Sequence, residues 1–336
     1  MSAVLIDLYS PLFKTYIYKT TTMNKFYILL IILISTIGAN AQFKGGNTLG
    51  DYGINGGSQP APGLYASAFY YNYQTDKVLN SDGDQVIALP SDPGEIGVNA
   101  FAGILWWVTD FKILGGNYGV MGTFAFSNAA LDIPVFGLNE TTNMAFSDMY
   151  IQPINLGWNT KKLDYTAGLG LTMPTGRYED GADDNVGYGM WSFEGFGGAT
   201  FYFDEKKSWS FAAIAFYEMH SKKKDSDIRV GDILSLEGAF GKAFMEGAMN
   251  FGLAYYAQWK ITKDNVNGYT FPLTPLDKVD KHKVYAIGPE ATVPIIINKK
   301  LIALINARYL WEFGARSISQ GNTLSITATF PLSVGQ

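Results

Sequence analysis

The chain has 336 residues, a formal charge of −5 and no cysteine. Charged residues make up 16% of it, against roughly 25% in soluble domains, while hydrophobic residues reach 47% and aromatics 15%. These figures exclude disulfide scaffolds, cysteine-ligated zinc, iron–sulfur clusters and thiol nucleophiles, and the acidic balance leaves no basic face for nucleic acid.

Met23-Asn24-Lys25, the apolar run Phe26–Ile37 and the small residues Ala39-Asn40-Ala41 follow the order of a secretory signal. The run is too short to cross a bilayer, which takes about 20 apolar residues. Residues 1–22 are read as a mis-assigned upstream start, 23–41 as the signal peptide and 42–62, rich in Gly and Asn, as a periplasmic tail or a plug.

From residue 63 to 332 the chain spells twelve segments that alternate large apolar with small or polar side chains. They are Gly63–Thr75, Glu95–Val108, Asn117–Ala129, Asp148–Trp158, Leu163–Met173, Trp191–Phe203, Ser208–His220, Asp232–Ala243, Ala248–Lys260, Lys283–Ile297, Leu301–Phe313 and Asn322–Leu332. In the fifth, Leu163, Tyr165, Ala167, Leu169, Leu171 and Met173 share one face, and Asp164, Thr166, Gly168, Gly170 and Thr172 share the other. A period of two is that of strands apolar on one side only. Connections alternate long and short, ending on a medium loop at 314–321. Such sorting, with an even strand count, predicts an antiparallel transmembrane outer-membrane β-barrel of about twelve strands, with short periplasmic turns and long extracellular loops. All seven tryptophans (Trp106, Trp107, Trp158, Trp191, Trp209, Trp259 and Trp311) fall at segment ends and are expected to form two interfacial girdles.

Alternation then aims Glu194, Glu218, Glu237, Asn250, Gln258, Glu290, Asn306, Arg308 and Glu312 into the lumen, with Phe196, Tyr202, Phe216 and Leu310 among them. Glu290 and Arg308 are equidistant from Lys299, so a turn centred there pairs them across strands ten and eleven. Their expected role is structural. The same counting brings Glu194 beside Glu218, either a proton or cation site or, more plainly, two solvated acids.

Ordered motifs add a resemblance. Pro62-Gly63-Leu64-Tyr65, Asp148 with Leu156-Gly157-Trp158, Pro174-Thr175-Gly176-Arg177-Tyr178 and Asn185-Val186-Gly187-Tyr188-Gly189 occur in turn. Tyr217-Glu218, Gly231-Asp232, Leu236-Glu237, Gly241-Lys242, Tyr255 and Gln258-Trp259 follow. The order resembles the outer-membrane transporter family labelled after the meta-pathway of phenol degradation. The resemblance implies a barrel that passes small hydrophobic or aromatic compounds across the outer membrane, and it transfers no site residue.

No catalytic, cofactor-binding or metal-binding residue is assigned. Serine-hydrolase, zinc-protease and phosphate-loop motifs are missing, and His220-Ser221 has no evident acid partner beyond Glu218. The acidic tracts Asn80–Asp84 and Asp180–Asn185 are better read as Asx turns than as calcium loops. Lys222-Lys223-Lys224 is an outer-loop charge run that is either solvated or set against lipopolysaccharide phosphates. Expected partners are outer-membrane lipid and lipopolysaccharide, a small hydrophobic solute and the barrel assembly machinery. The function expected is passive uptake of small hydrophobic or aromatic compounds, with a structural or surface-interaction barrel without transport as the alternative.

Overall fold

Twelve strands close on themselves in the computed structural model, which describes residues 44–88, 95–133, 138–180, 182, 184–244, 249–266 and 281–334. In chain order they are β1 (Gly63–Leu79), β2 (Glu95–Ile113), β3 (Gly116–Ile133), β4 (Met149–Asn159), β5 (Leu163–Met173) and β6 (Ser192–Tyr202). The second half comprises β7 (Trp209–His220), β8 (Ile233–Phe244), β9 (Met249–Lys260), β10 (Lys283–Ile297), β11 (Lys300–Arg316) and β12 (Ser319–Val334). Each is antiparallel to the next, and β12 returns to β1 from Gly63↔Val334 to Val78↔Ser319, so no barrel edge is left open. The signal and upstream segments lie outside the described residues.

Outward positions carry Phe101, Leu105, Phe193, Leu253, Ile295 and Phe313, all well exposed. Exposed apolar surface all around a closed sheet is stable only against hydrocarbon, and closure satisfies every backbone group that lipid cannot. In β5 the expected faces appear as read, with Leu163, Tyr165 and Leu169 exposed and Asp164, Thr166 and Thr172 buried.

Two expectations are corrected. The medium loop at 314–321 is a two-residue turn, because β11 runs to Arg316 and β12 starts at Ser319. Gly314 and Ser317 of that stretch are left-handed instead, Gly314 (φ 62°) within β11 and Ser317 (φ 53°) in the turn. Strand lengths also differ: β1–β3, β11 and β12 have 16 to 19 residues, longer than their segments, and β10 has the 15 expected, whereas β4–β9 have 11 or 12. One side of the barrel is therefore taller than the other.

Register between β10 and β11 places Glu290 opposite Arg308, as expected, but by a different route. The turn holds two residues, Asn298 and Lys299, both left-handed (φ 51° and 63°), a conformation that matches the strand twist. Ile296 pairs with Leu301 and Ile295 with Ala303, so Ile302 is an extra, bulged residue. The bulge offsets the turn and restores the pairing of Glu290 with Arg308.

Candidate functional site: the lumen and its N-terminal segment

Residues 44–60 run inside the barrel, held by carboxylates that reach in from β7, β8 and β10. Glu218 Oε1 accepts the Gly46 and Asn47 N–H groups at 2.9 and 3.0 Å. Glu237 Oε2 accepts those of Gly50 and Tyr52 at 3.2 and 3.1 Å, and its Oε1 accepts Asn47 Nδ2. Glu290 Oε2 accepts Ile54 N–H at 3.0 Å, while Arg308 Nη1 donates to the Gly50 carbonyl. Further along, Gly57 N–H donates to Thr200, Ser58 to Asp164, and Gln59 to Asn155.

Glycine is required for so close an approach. A Cβ on Gly53 would lie 2.0 Å from Glu290 Oε2, and one on Gly57 2.1 Å from the Ala199 backbone. Ile54 and Leu49 anchor the segment in an apolar cluster with Tyr256, Val284 and Leu310. Tyr52 packs on Phe216 with ring centroids 4.9 Å apart, and Phe196 lies behind it.

The lumen-directed residues divide by partner. Glu194, Glu218, Glu237, Asn250, Gln258, Glu290 and Arg308 are buried inward-facing side chains, and Asn306 and Glu312 are half-buried. Glu290 and Arg308 form an ion pair at 2.8 Å, with side chains 3% and 6% exposed. Asn306 donates to Glu290 Oε1 at 2.9 Å. Glu194 stands opposite Glu218 in the β6–β7 register, yet it accepts from Tyr150 OH and Glu218 from the N-terminal segment. Glu312 accepts the Tyr73 and Tyr256 hydroxyls. Gln258 donates to Ser235 and meets His282 at 3.0 Å. Tyr202 and Leu310, expected along a passage, contact the segment instead: Tyr202 OH meets Ser58, and a Cβ on Gly50 would touch Leu310.

One girdle residue is corrected. Trp107 is 58% exposed to the outside, so its neighbour Trp106 must face inward, where it lines the lumen cavity. Trp158, Trp191, Trp209, Trp259 and Trp311 are half-buried or exposed, and Trp158 stacks on the outward Tyr165 at 4.9 Å.

Between the segment and the tall wall lies a cavity of about 1440 Å³. Its lining extends from Lys300, Leu332 and Ser333 at the short-turn end to Thr142, Asp184 and Ser319 at the long-loop end. Along the wall stand Tyr65, Phe69, Tyr71 and Tyr73 of β1, then Val98, Ala102, Ile104 and Trp106 of β2. Among the described lining residues of β1, β2 and β12 the only ionisable groups are tyrosines. Glu290 and Arg308 lie under the segment, whereas Glu312 accepts the Tyr73 hydroxyl and Lys44 Nζ stands 5.0 Å from the Tyr73 ring centroid, so charge approaches the wall there.

At the outer end Asp148 ties the two loop motifs together, accepting Gly176 N–H at 2.8 Å and Tyr188 N–H at 2.7 Å. Lys222 and Lys224 pair with Asp227 and Asp225 on the surface, but Lys223 turns inward and donates to the Tyr188 carbonyl at 2.7 Å. Burial lowers the Lys223 pKa from 10.5 to about 8, against the opposing pull of Asp148 and Asp180. The unfolded chain thus binds the extra proton between pH 8 and 10.5, and stability rises with pH through that window. Urea-unfolding midpoints are expected to climb over this range in the wild type more than in Lys223→Met. A flat difference between the two would contradict the assignment.

Asn80 Oδ1 accepts the Asp82 and Asp84 N–H groups, both at 2.9 Å, making the first acidic tract an Asx turn. The second lies partly outside the described residues. Among the described residues neither nitrogen of His220 has a hydrogen-bond partner, and Ser221 donates to a backbone carbonyl. No Ser–His relay is assembled there.

A closed, lipid-facing cylinder with long loops at one end and an occupied lumen defines an outer-membrane channel-type barrel of the bacterial cell. The sequence pattern of the family described as "MetA-pathway of phenol degradation" matches residues 75–328, and the chain belongs to that family. An outer-membrane channel from Pseudomonas putida F1 shares the fold at 12% identity, with a TM-score of 0.67 over 84% of this chain and 99% of that one. The NanC porin, at 9% identity, gives a TM-score of 0.40 over 79% of this chain and 100% of its own. The β domain of the Bordetella autotransporter BrkA, at 13% identity, also gives 0.40, over 81% and 99%. None of the curated proteins matches the chain.

Proposed function

We propose that the protein is a passive channel for small hydrophobic or aromatic compounds, which move between the N-terminal segment and the tall wall. The observation that carries this reading is the single cavity whose lining reaches from the short-turn end to the long-loop end. Its wall of Tyr65, Phe69, Tyr71, Val98 and Ile104 offers ring faces and apolar surface, and the charged Lys44 and Glu312 approach it at Tyr73. An uncharged aromatic solute keeps its contacts along such a wall, whereas an ion would exchange its hydration for little in return.

The competing reading, a barrel without throughput, draws on the same segment, whose hydrogen bonds occupy much of the lumen. Proteoliposomes separate the two. A membrane-impermeant nitrophenyl glycoside is expected to enter faster than an aromatic-free sugar of equal size. Ala102→Trp, which adds an indole inside the wall, is expected to reduce entry at least several-fold. Equal entry of both probes would indicate a general diffusion pore, and entry of neither would favour the barrel without throughput.

A further inference from the structure

At the long-loop end of β9, β10 and β11 basic residues gather around one recess of about 470 Å³, with Lys260 and His282 buried and facing inward and Lys283 on the outer face. It is lined by Lys260, Lys281, His282, Lys283 and Arg316, beside Trp259. Three of these residues form a row across adjacent strands, since Trp259 pairs with Lys283 and Lys283 with Arg316. Cross-strand partners share a face, and Trp259 fixes that face as the lipid side. Like charges placed directly opposite repel, so Lys283 facing Arg316 is a costly arrangement unless an anion joins them.

Among the described residues no carboxylate supplies that anion. Asp264 is spent on Lys260, with both its oxygens within 2.8 Å of the ammonium. Among the described residues neither Lys283 nor Arg316 has a carboxylate partner. Arg316 is also held in place: the Asx turn packs on it so closely that a Cβ on Gly83 would lie 2.0 Å from Nη1. A seated guanidinium presents its planar fork, which matches the oxygens of a phosphate.

Depth identifies the source of the phosphate. Trp259, level with the row, donates to Tyr285 OH at 3.3 Å, and one step towards the barrel's middle Tyr285 stacks on Phe313, with Phe313 and Trp311 about half exposed. Such layers sit where hydrocarbon meets headgroups. The basic row is therefore at headgroup level in the outer leaflet, which in an outer membrane is built of phosphorylated glycolipid. We propose that Lys283 and Arg316, backed by Lys281, form a docking site for the phosphate of an outer-leaflet lipid.

The test is native mass spectrometry of the detergent-purified full barrel with three probes: diphosphoryl lipid A, the same lipid dephosphorylated, and inorganic phosphate. The wild type is expected to retain diphosphoryl lipid A and to lose most binding with the dephosphorylated form. Lys283→Gln/Arg316→Gln should weaken retention by roughly tenfold or more, as loss of charge-assisted bonds implies. Lys222→Gln/Lys224→Gln, which alters exposed outer-loop charges, should leave it unchanged. If the double variant fails to fold, Arg316→Lys serves, keeping the charge but not the fork, with an intermediate loss expected. Equal retention of the dephosphorylated lipid, unaltered retention by the variants, or binding of inorganic phosphate as strong as that of lipid A would each overturn the proposal.

Discussion

Excision of residues 44–60 is expected to raise single-channel conductance several-fold and to make the pore cation-selective. The segment crosses the lumen and is bonded to Glu218, Glu237 and Glu290 through its backbone N–H groups. Without it, those carboxylates face water-filled space with Arg308 as the neighbouring base. A twelve-strand barrel lies between cylinders filled by their own side chains and open water channels, so an emptied lumen conducts. Three acids against one guanidinium set the sign of the field, and the reversal potential in a salt gradient reads it. The β12–β1 closure makes no use of residues 44–60, so the barrel should still fold and show heat-modified migration. Unchanged conductance in a folded deletion variant would mean that the segment is not the obstruction.

The second large effect is expected at the buried ion pair. Arg308→Met should destabilise the barrel by about 3–5 kcal/mol, the usual cost of stranding one partner of a buried pair. Glu290 would keep Asn306 and Ile54 as donors but lose Arg308 Nη2, and the Gly50 carbonyl would lose Nη1. The double variant Glu290→Gln/Arg308→Met should cost clearly less than the two single changes added, because no charge is then left unpaired. Urea unfolding in lipid vesicles measures all three. A single-variant loss below about 1 kcal/mol would place this pair with weak surface bridges.

Local sequence made this pair legible, although for a simplified reason. Counting from Lys299 treats the turn as symmetric, whereas the chain uses a two-residue left-handed turn and a bulge at Ile302 that offset one another. Trp106 shows the opposite outcome. Its position at a strand end suggested the girdle, but adjacent residues cannot share a face, and Trp107 takes the outside. The stretch 314–321 is strand and tight turn where a loop is expected, because Gly and Ser serve equally as loop residues or as left-handed positions in a bent strand and its turn.

The lumen acids were visible as inward-facing positions, but their employment was not. Glu218 and Glu237 meet partners more than 170 residues away in the chain, and those partners are backbone N–H groups that no side-chain pattern encodes. Glycine at 45, 53 and 57 was the available signal, for each stands where a side chain would collide with the wall.

By itself the sequence determined the closed antiparallel barrel and its lipid-facing surface, because a period of two is a local property of the chain. Only the tertiary structure decided where residues 44–60 rest, which wall faces the cavity and which bases meet at the long-loop rim. Those outcomes depend on contacts between residues far apart in sequence, which exist only once the cylinder has closed.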